Sequence, residues 1–282
     1  MRKLGIAALV MVAFAANSLL NRAGVHEAGM DPVVFGVVRL VSGAAALWLL
    51  LRLTRRPVLW QPNRGRMIGV GALLVYIFGF SLGYRAIGAG VGALLLFGTV
   101  QATMFAGALI GGDHVPARRW AGMALALAGL AWMLLPGGGV QLPPLASGFM
   151  VAAGIGWGVY SLAGRGARDS LAETAANFIW AAPLSLLALL GGTAGVLSPA
   201  GLGLAVASGA VASGMGYALW YAILPGLGAT RAAVAQSSVP VIALAGGILL
   251  LGEAPGLQTL GAAVVVMAGI VIALWPGRQR QG

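Results

Sequence analysis

The sequence predicts an all-α integral membrane protein of ten transmembrane helices, arranged as two inverted five-helix repeats. Four observations predict it. Of 282 residues, 60% are hydrophobic and only 8% are charged, with a mean hydropathy of +0.94, whereas soluble domains average roughly 25% charged. The apolar runs are separated by short breaks, and most are long enough to cross a ~30 Å hydrocarbon layer. Basic residues gather on one side of the crossings, and blocks of the first half recur in the second.

Read with a window of about 19 residues, the spans fall near 4–20, 32–52, 67–85, 90–111, 119–135, 147–165, 171–190, 199–222, 229–250 and 257–275. The opening "MRKLGIAALVMVAFAANS" has the basic start and apolar middle of a secretory signal. Nine further apolar segments follow, so it is read as the first span rather than a leader. The break "YRAIGAGVG" is short and makes a tight hairpin of the third and fourth spans. Glu173, Asn177 and Pro183 interrupt the stretch 170–198, the least regular of the ten. In the ninth, Pro240 follows Ser237 and Ser238. It lacks an N–H donor and loosens the helix there.

The basic residues orient the spans. With the N-terminus in the cytoplasm, the inside segments hold Arg2, Lys3, Arg52, Arg55, Arg56, Arg64, Arg66, Arg118, Arg119, Arg165, Arg168, Arg231, Arg278 and Arg280. The outside segments hold only Arg22 and Arg85, and Arg39 is embedded, so the split is 14 to 2. An odd number of helices would spoil this asymmetry. Both termini are expected in the cytoplasm, in a multi-pass protein of the cell (inner) membrane.

Ten helices divide into five plus five. At an offset of 140, Gly107, Leu109, Gly112, Gly129, Leu134 and Pro136 fall on Gly247, Leu249, Gly252, Gly269, Leu274 and Pro276, and Asp113 falls on Glu253. At an offset of 137, "GFSLGYRAI" lies over "GYALWYAIL"; at the start of each half, "FAANSLLNR" lies over "WGVYSLAGR". Three blocks in the same order mark residues 1–139 and 140–282 as two copies. Five is odd, so the second copy inserts upside down. Asp113 and Glu253 then occupy matching corners on opposite faces. The simplest role of each is to cap the start of the following helix, favourable by ~0.3–1 kcal/mol; a gating ion pair is the alternative.

An acid after Gly at the end of the fourth helix, followed by a small-residue fifth helix ("GMALALAGLAWML", "GAAVVVMAGIVIAL"), resembles the EamA repeat of the drug/metabolite transporter superfamily. The resemblance spans nearly the whole chain in two copies. Asp113 stands where the family usually has Glu. Within the superfamily the layout is most similar to the YddG-type exporters of aromatic amino acids. The resemblance implies alternating access around a central cavity and export of metabolites.

Polar side chains near the bilayer centre are costly unless they face protein or water, which makes them candidates for substrate contact. By depth these are Asn17, Gln101, Gln236 and Ser237, whose alternative role is bonding between helices. Tyr76, Phe80 and Tyr84 follow an i, i+4, i+8 stripe on the third helix. Trp157 and Tyr160 share a face of the sixth, and Tyr217 lies on the eighth. Rings around a few amides suit a flat, partly polar solute, and packing is the competing explanation. Trp220 and Tyr221 read as interfacial anchors. Arg39 is the one strongly embedded charge, about two turns below the outer end of the second helix at ~1.5 Å per residue. It either reaches Glu27 or Asp31 or meets an anionic group such as a substrate carboxylate.

The missing chemistry narrows the class. The net charge of +11 has no basic face with interleaved aromatics, so nucleic acid is not an expected partner. Cysteine is absent, and both histidines, His26 and His114, lie in connections. Gly88, Gly90 and Gly92 sit at a helix hairpin with no strand before them, which is not a phosphate loop. No metal and no cofactor is expected. A lipid-modifying enzyme would need clustered acids, histidines or a metal motif at one interface. A non-transporting scaffold does not require inverted duplication. No acid lies mid-helix, so a multidrug exporter would have no counter-ion for a cation, and uniport is simpler than proton exchange. The expected partners are membrane lipid and a small-molecule substrate, with a monomer favoured over an obligate oligomer.

Overall fold

In the computed structural model, residues 2–112, 115–135, 142–164, 167, 169–191, 197–227 and 235–274 are described. The elements are α1 (Arg2–Arg22), α2 (Pro32–Leu53), α3 (Arg64–Tyr84), α4 (Ala89–Ile110), α5 (Ala117–Leu134), α6 (Pro144–Ala163), α7 (Ser170–Ser185), α8 (Pro199–Val206), α9 (Gly216–Leu227), α10 (Val239–Leu251) and α11 (Leu257–Leu274). A π-helical segment, Ala207–Met215, joins α8 to α9 into one rod, and a shorter one, Ala23–Glu27, extends α1. Counted this way, the described residues form ten helical rods. Seven of them are long and apolar enough to cross a membrane, and α10 and α11 are shorter apolar helices.

Local chemistry accounts for the ends. Asp31 Oδ1 accepts from the N–H groups of Val33 and Val34 at 2.8 and 3.0 Å, and Pro32 suits the first turn because it has no N–H to satisfy. Asn63 and Ser198 cap α3 and α8 in the same manner. Pro183 lies inside α7, which tightens into a 3-10 turn, Leu186–Gly191, just beyond it. The chain is interrupted at Ser237–Ser238 before Pro240, as its missing donor requires. Positive φ occurs at Gly112 and Gly252, the two glycines that precede the corner acids. Asp113, His114, Arg165, Arg168, Arg231, Pro136, Pro276, Arg278 and Arg280 lie outside the described residues.

The packing repeats itself when each rod is exchanged for the one five places on. The third rod, α3, packs on α6, and the eighth, α8–α9, packs on α1. The pair α4–α6 has its counterpart in α10–α1, and α2 against the π-segment has its counterpart in α7 against α3. The pairs α2–α7, α4–α10 and α5–α11 map onto themselves. This is the contact pattern of a pseudo-two-fold, and an odd number of helices per half makes it an inverted one.

Glycines let the helices meet backbone to backbone, the usual solution where lipid offers no hydrophobic drive. A Cβ on Gly156 of α6 would lie 2.7 Å from the Ala72 carbonyl and 2.8 Å from the Tyr76 nitrogen of α3. Gly154 and Gly158 seat α6 against Thr99 and Thr103 of α4, as their four-residue spacing predicts. Gly107 meets Leu162 of α6 in the same groove, whereas Gly111 faces only its own helix. Gly122 and Gly269 place α5 and α11 in direct backbone contact.

Candidate functional site

The tight α3–α6 crossing decides where the rings go. Tyr76 and Trp157 come together with centroids 4.9 Å apart, and Tyr160 stacks behind Trp157 at 5.5 Å. The predicted stripe on α3 is continuous, with Tyr76–Phe80 at 5.3 Å and Phe80–Tyr84 at 4.6 Å. Tyr217 approaches from α9, 5.1 Å from Trp157 and 5.6 Å from Phe14. Phe14, Tyr76, Phe80, Trp157 and Tyr217 thus form a box, closed by Asn17, Ser18, Leu96 and Phe97. The cavity left inside is only about 20 Å³, room for roughly one water. Pockets that hold small ligands run from roughly 300 Å³ upward, so the bundle is closed around its centre.

Beside the rings lies a buried polar network. Asn17 is 3% exposed, and its Oδ1 accepts from the Ser208 hydroxyl at 2.7 Å, while its Nδ2 donates to Ser213 at 3.3 Å. Ser208 and Ser213 are five residues apart on the π-helical segment. An α-helix turns about 100° per residue and would put them on different faces. The i→i+5 bonding of a π-helix brings them into line, and such segments recur at functional sites. The small residues Gly209 and Gly214 allow this wider segment to lie against α2.

Arg39 closes the network. Its side chain is fully buried; Nε donates to the Ser213 hydroxyl at 3.2 Å and one terminal nitrogen donates to the Tyr76 hydroxyl at 2.9 Å. The guanidinium lies over the rings of Tyr76 and Phe80, 5.1 and 4.9 Å from their centroids. Its other terminal nitrogen is buried with no hydrogen-bond partner. Expected pairing with Glu27 or Asp31 does not occur: Glu27 lies against His26 at 3.9 Å and Asp31 caps α2. The reason is rotational. Arg39 lies on the face of α2 turned to α3 and the π-segment, where Gly209 lets the two backbones touch.

The other acids are also engaged elsewhere. At one end of the bundle, Arg66 pairs with Glu173 at 2.7 Å, and Arg56 with Asp169 at 2.8 Å. These contacts tie the α2–α3 connection to the start of α7 beside an open pocket that Trp60 and Gln61 line. At the opposite end Glu253 does not cap its own next helix. Its Oε1 accepts from the Ala89 N–H at 2.7 Å, the first turn of α4, and lies 3.4 Å from Arg22 Nε. Arg22 also donates to the Tyr84 carbonyl at 3.0 Å. A carboxylate at a helix start is favourable wherever the helix comes from, and Gly88 and Gly247 leave the space for this one. Glu253 thus caps a helix other than the one that follows it and also pairs with Arg22.

The remaining sequence candidates divide. Tyr84 is fully buried at the Glu253 end, and its hydroxyl donates to the Ala89 carbonyl at 3.2 Å. Gln101 and Gln236 are half-buried on α4 and just before α10, outside the cavity lining, while Ser237 is buried. Trp220, read as an interfacial anchor, is instead 6% exposed and packs on Phe14 at 6.0 Å. It turns inward because α9 packs on α1. Phe14, Phe97 and the two π-segment serines were not singled out from the sequence. Five-residue spacing carries no signal in a search for helical faces.

Comparison with known proteins supplies the family. Residues 145–275 match the EamA-like transporter family. An uncharacterized protein of Pseudomonas aeruginosa is 45% identical over 277 residues, 98% of this chain and 95% of that one. A probable amino-acid metabolite efflux pump of Salmonella typhimurium is 25% identical over 98% of this chain and 96% of its own. A solved crystal structure has the same fold, with a TM-score of 0.70 at 18% identity over 97% of each chain. With this family match and these relatives along nearly its whole length, the protein belongs to the EamA-like transporter family.

Proposed function

We propose that the protein is a uniporter that exports small carboxylate metabolites, amino acids including aromatic ones, by alternating access at the central box. One observation carries this reading: a fully buried Arg39 beside the rings, with a free donor and no carboxylate partner among the described residues. A desolvated cation without a partner is costly, and ring faces offset only part of that. A substrate carboxylate is the natural complement, reached directly or through the Tyr76 hydroxyl that Arg39 already holds. The rings then take an apolar or aromatic side chain at ~25 cal/mol per Å² of buried apolar surface. The relative named as an amino-acid metabolite efflux pump supports the substrate class.

In this reading the halves 1–139 and 140–282 rock against one another, as a monomer in the cell inner membrane with both termini cytoplasmic. The 14-to-2 arginine and lysine split supports that orientation, placing the Arg66–Glu173 tie inside and the Arg22–Glu253 tie outside. The test is flux of labelled phenylalanine, threonine and phenylpyruvate from liposomes containing the purified protein, with no proton gradient. Saturable flux of at least one above protein-free liposomes is expected. Flux that appears only with a proton gradient would end the uniport reading. No flux of any of the three would end the transport reading.

A further inference from the structure

The charge of the transported species follows from counting what surrounds the box. The chain has six acidic residues. Five are described, and each is committed away from the centre: Glu27 to His26, Asp31 to the start of α2, Asp169 to Arg56, Glu173 to Arg66, and Glu253 to Arg22 and Ala89. The sixth, Asp113, falls in sequence between the end of α4 and the start of α5. The central box therefore has one cation and, among the described residues, no anion. Its best acceptor, Asn17 Oδ1, is already occupied by the Ser208 hydroxyl at 2.7 Å.

A zwitterion brings two charges to this site. Its carboxylate meets Arg39 and the Tyr76 hydroxyl, but its ammonium meets ring faces and neutral oxygens, with no carboxylate among the described residues to balance it. Resting on the exporter reading above, we infer that the site ranks aromatic carboxylates by charge. Those without a free ammonium, such as 2-keto acids and N-acylated amino acids, are carried in preference to the free amino acids. One guanidinium against one carboxylate leaves the loaded site neutral, whereas a zwitterion leaves it with an unpaired cation. The inference also supplies a driving force. An anion leaving a cell that is negative inside gains from the membrane potential, a factor of about 50 in concentration ratio for each 100 mV and each charge. No proton-binding acid is then needed at the centre.

The experiment uses the full chain in liposomes, with phenylpyruvate, N-acetylphenylalanine and phenylalanine compared at equal concentration under an imposed potassium diffusion potential. Both anions are expected to move at least about tenfold faster than phenylalanine. Their accumulation should follow the potential with the roughly 50-fold factor per 100 mV, and that of phenylalanine should not. Arg39→Gln should remove the preference and Arg39→Lys should retain it in part; the wild-type comparison decides the matter even if Arg39→Gln fails to fold. Phenylalanine moving as fast as the anions, or anion accumulation indifferent to the potential, overturns the charge ranking while leaving the exporter reading intact. Absence of flux for all three, and for threonine, overturns both.

Discussion

Tyr76 joins the two chemistries of the centre. Its ring belongs to the box, and its hydroxyl accepts from Arg39 at 2.9 Å. From the sequence alone, Tyr76→Phe is expected to have a small effect, since the hydroxyl would matter only if it touched the substrate. With Arg39 known as the partner of that hydroxyl, the substitution leaves a second guanidinium nitrogen unsatisfied, a loss of about 1–3 kcal/mol. Tyr76→Phe is expected to lower the melting temperature in detergent and to reduce carboxylate flux severalfold; unchanged values of both would separate Arg39 from the transport site. Trp157 is the complementary case. Trp157→Ala should slow phenylalanine flux more than threonine flux, once folding is confirmed, since removing a packed Trp costs ~3–5 kcal/mol. Equal loss for both solutes would make the ring a packing element alone. The aromatic stripe was legible because rings four apart on a helix, Tyr76, Phe80 and Tyr84, share a face. The environment of Arg39 was not, because it is set by the rotation of α2 against partners remote in sequence, and a serine pair in π-register is invisible to a 3.6-residue template.

Among the elements, α3 and α6 form the crossing on which the box depends. Gly156 is one of its closest points: a Cβ there would press on backbone atoms at 2.7 and 2.8 Å, which no side-chain rotation relieves. Gly156→Ala should therefore push Tyr76 and Trp157 apart and lower flux of aromatic substrates, whereas Gly148→Ala, with open space at its Cβ, should be neutral. Equal behaviour of the two variants in the flux assay would contradict this account of the crossing. The sequence alone singles out neither Gly156 nor the helix it meets. Element boundaries were the easiest part to read. The predicted spans at 32–52 and 257–275 compare with α2 at Pro32–Leu53 and α11 at Leu257–Leu274. The corner acid Glu253 was found by its isolation in an apolar run, yet its partner Ala89 lies 164 positions away, a distance at which sequence alone offers no pairing.

For the whole molecule, the proposed orientation has a direct chemical readout, because the chain contains no cysteine. Single cysteines at Asn63 and at Ala254 should differ in intact cells: an impermeant maleimide should reach Ala254→Cys and not Asn63→Cys. The opposite labelling would invert the topology and with it the direction assigned to each ionic tie. Those ties are both closed here, Arg66–Glu173 at one end and Arg22–Glu253 at the other, and the rings between them leave a space of about 20 Å³. That small volume bears on the half of the cycle in which nothing is carried. A uniporter must return empty to the loading side, and a permanently hydrated chamber would ferry ions with it on every return. Here the rings pack against one another, so the proposed carrier has no wide water-filled path at its centre. Continuous turnover would then proceed without short-circuiting the membrane's charge, and a planar bilayer containing the protein should show no added conductance to potassium, sodium or chloride.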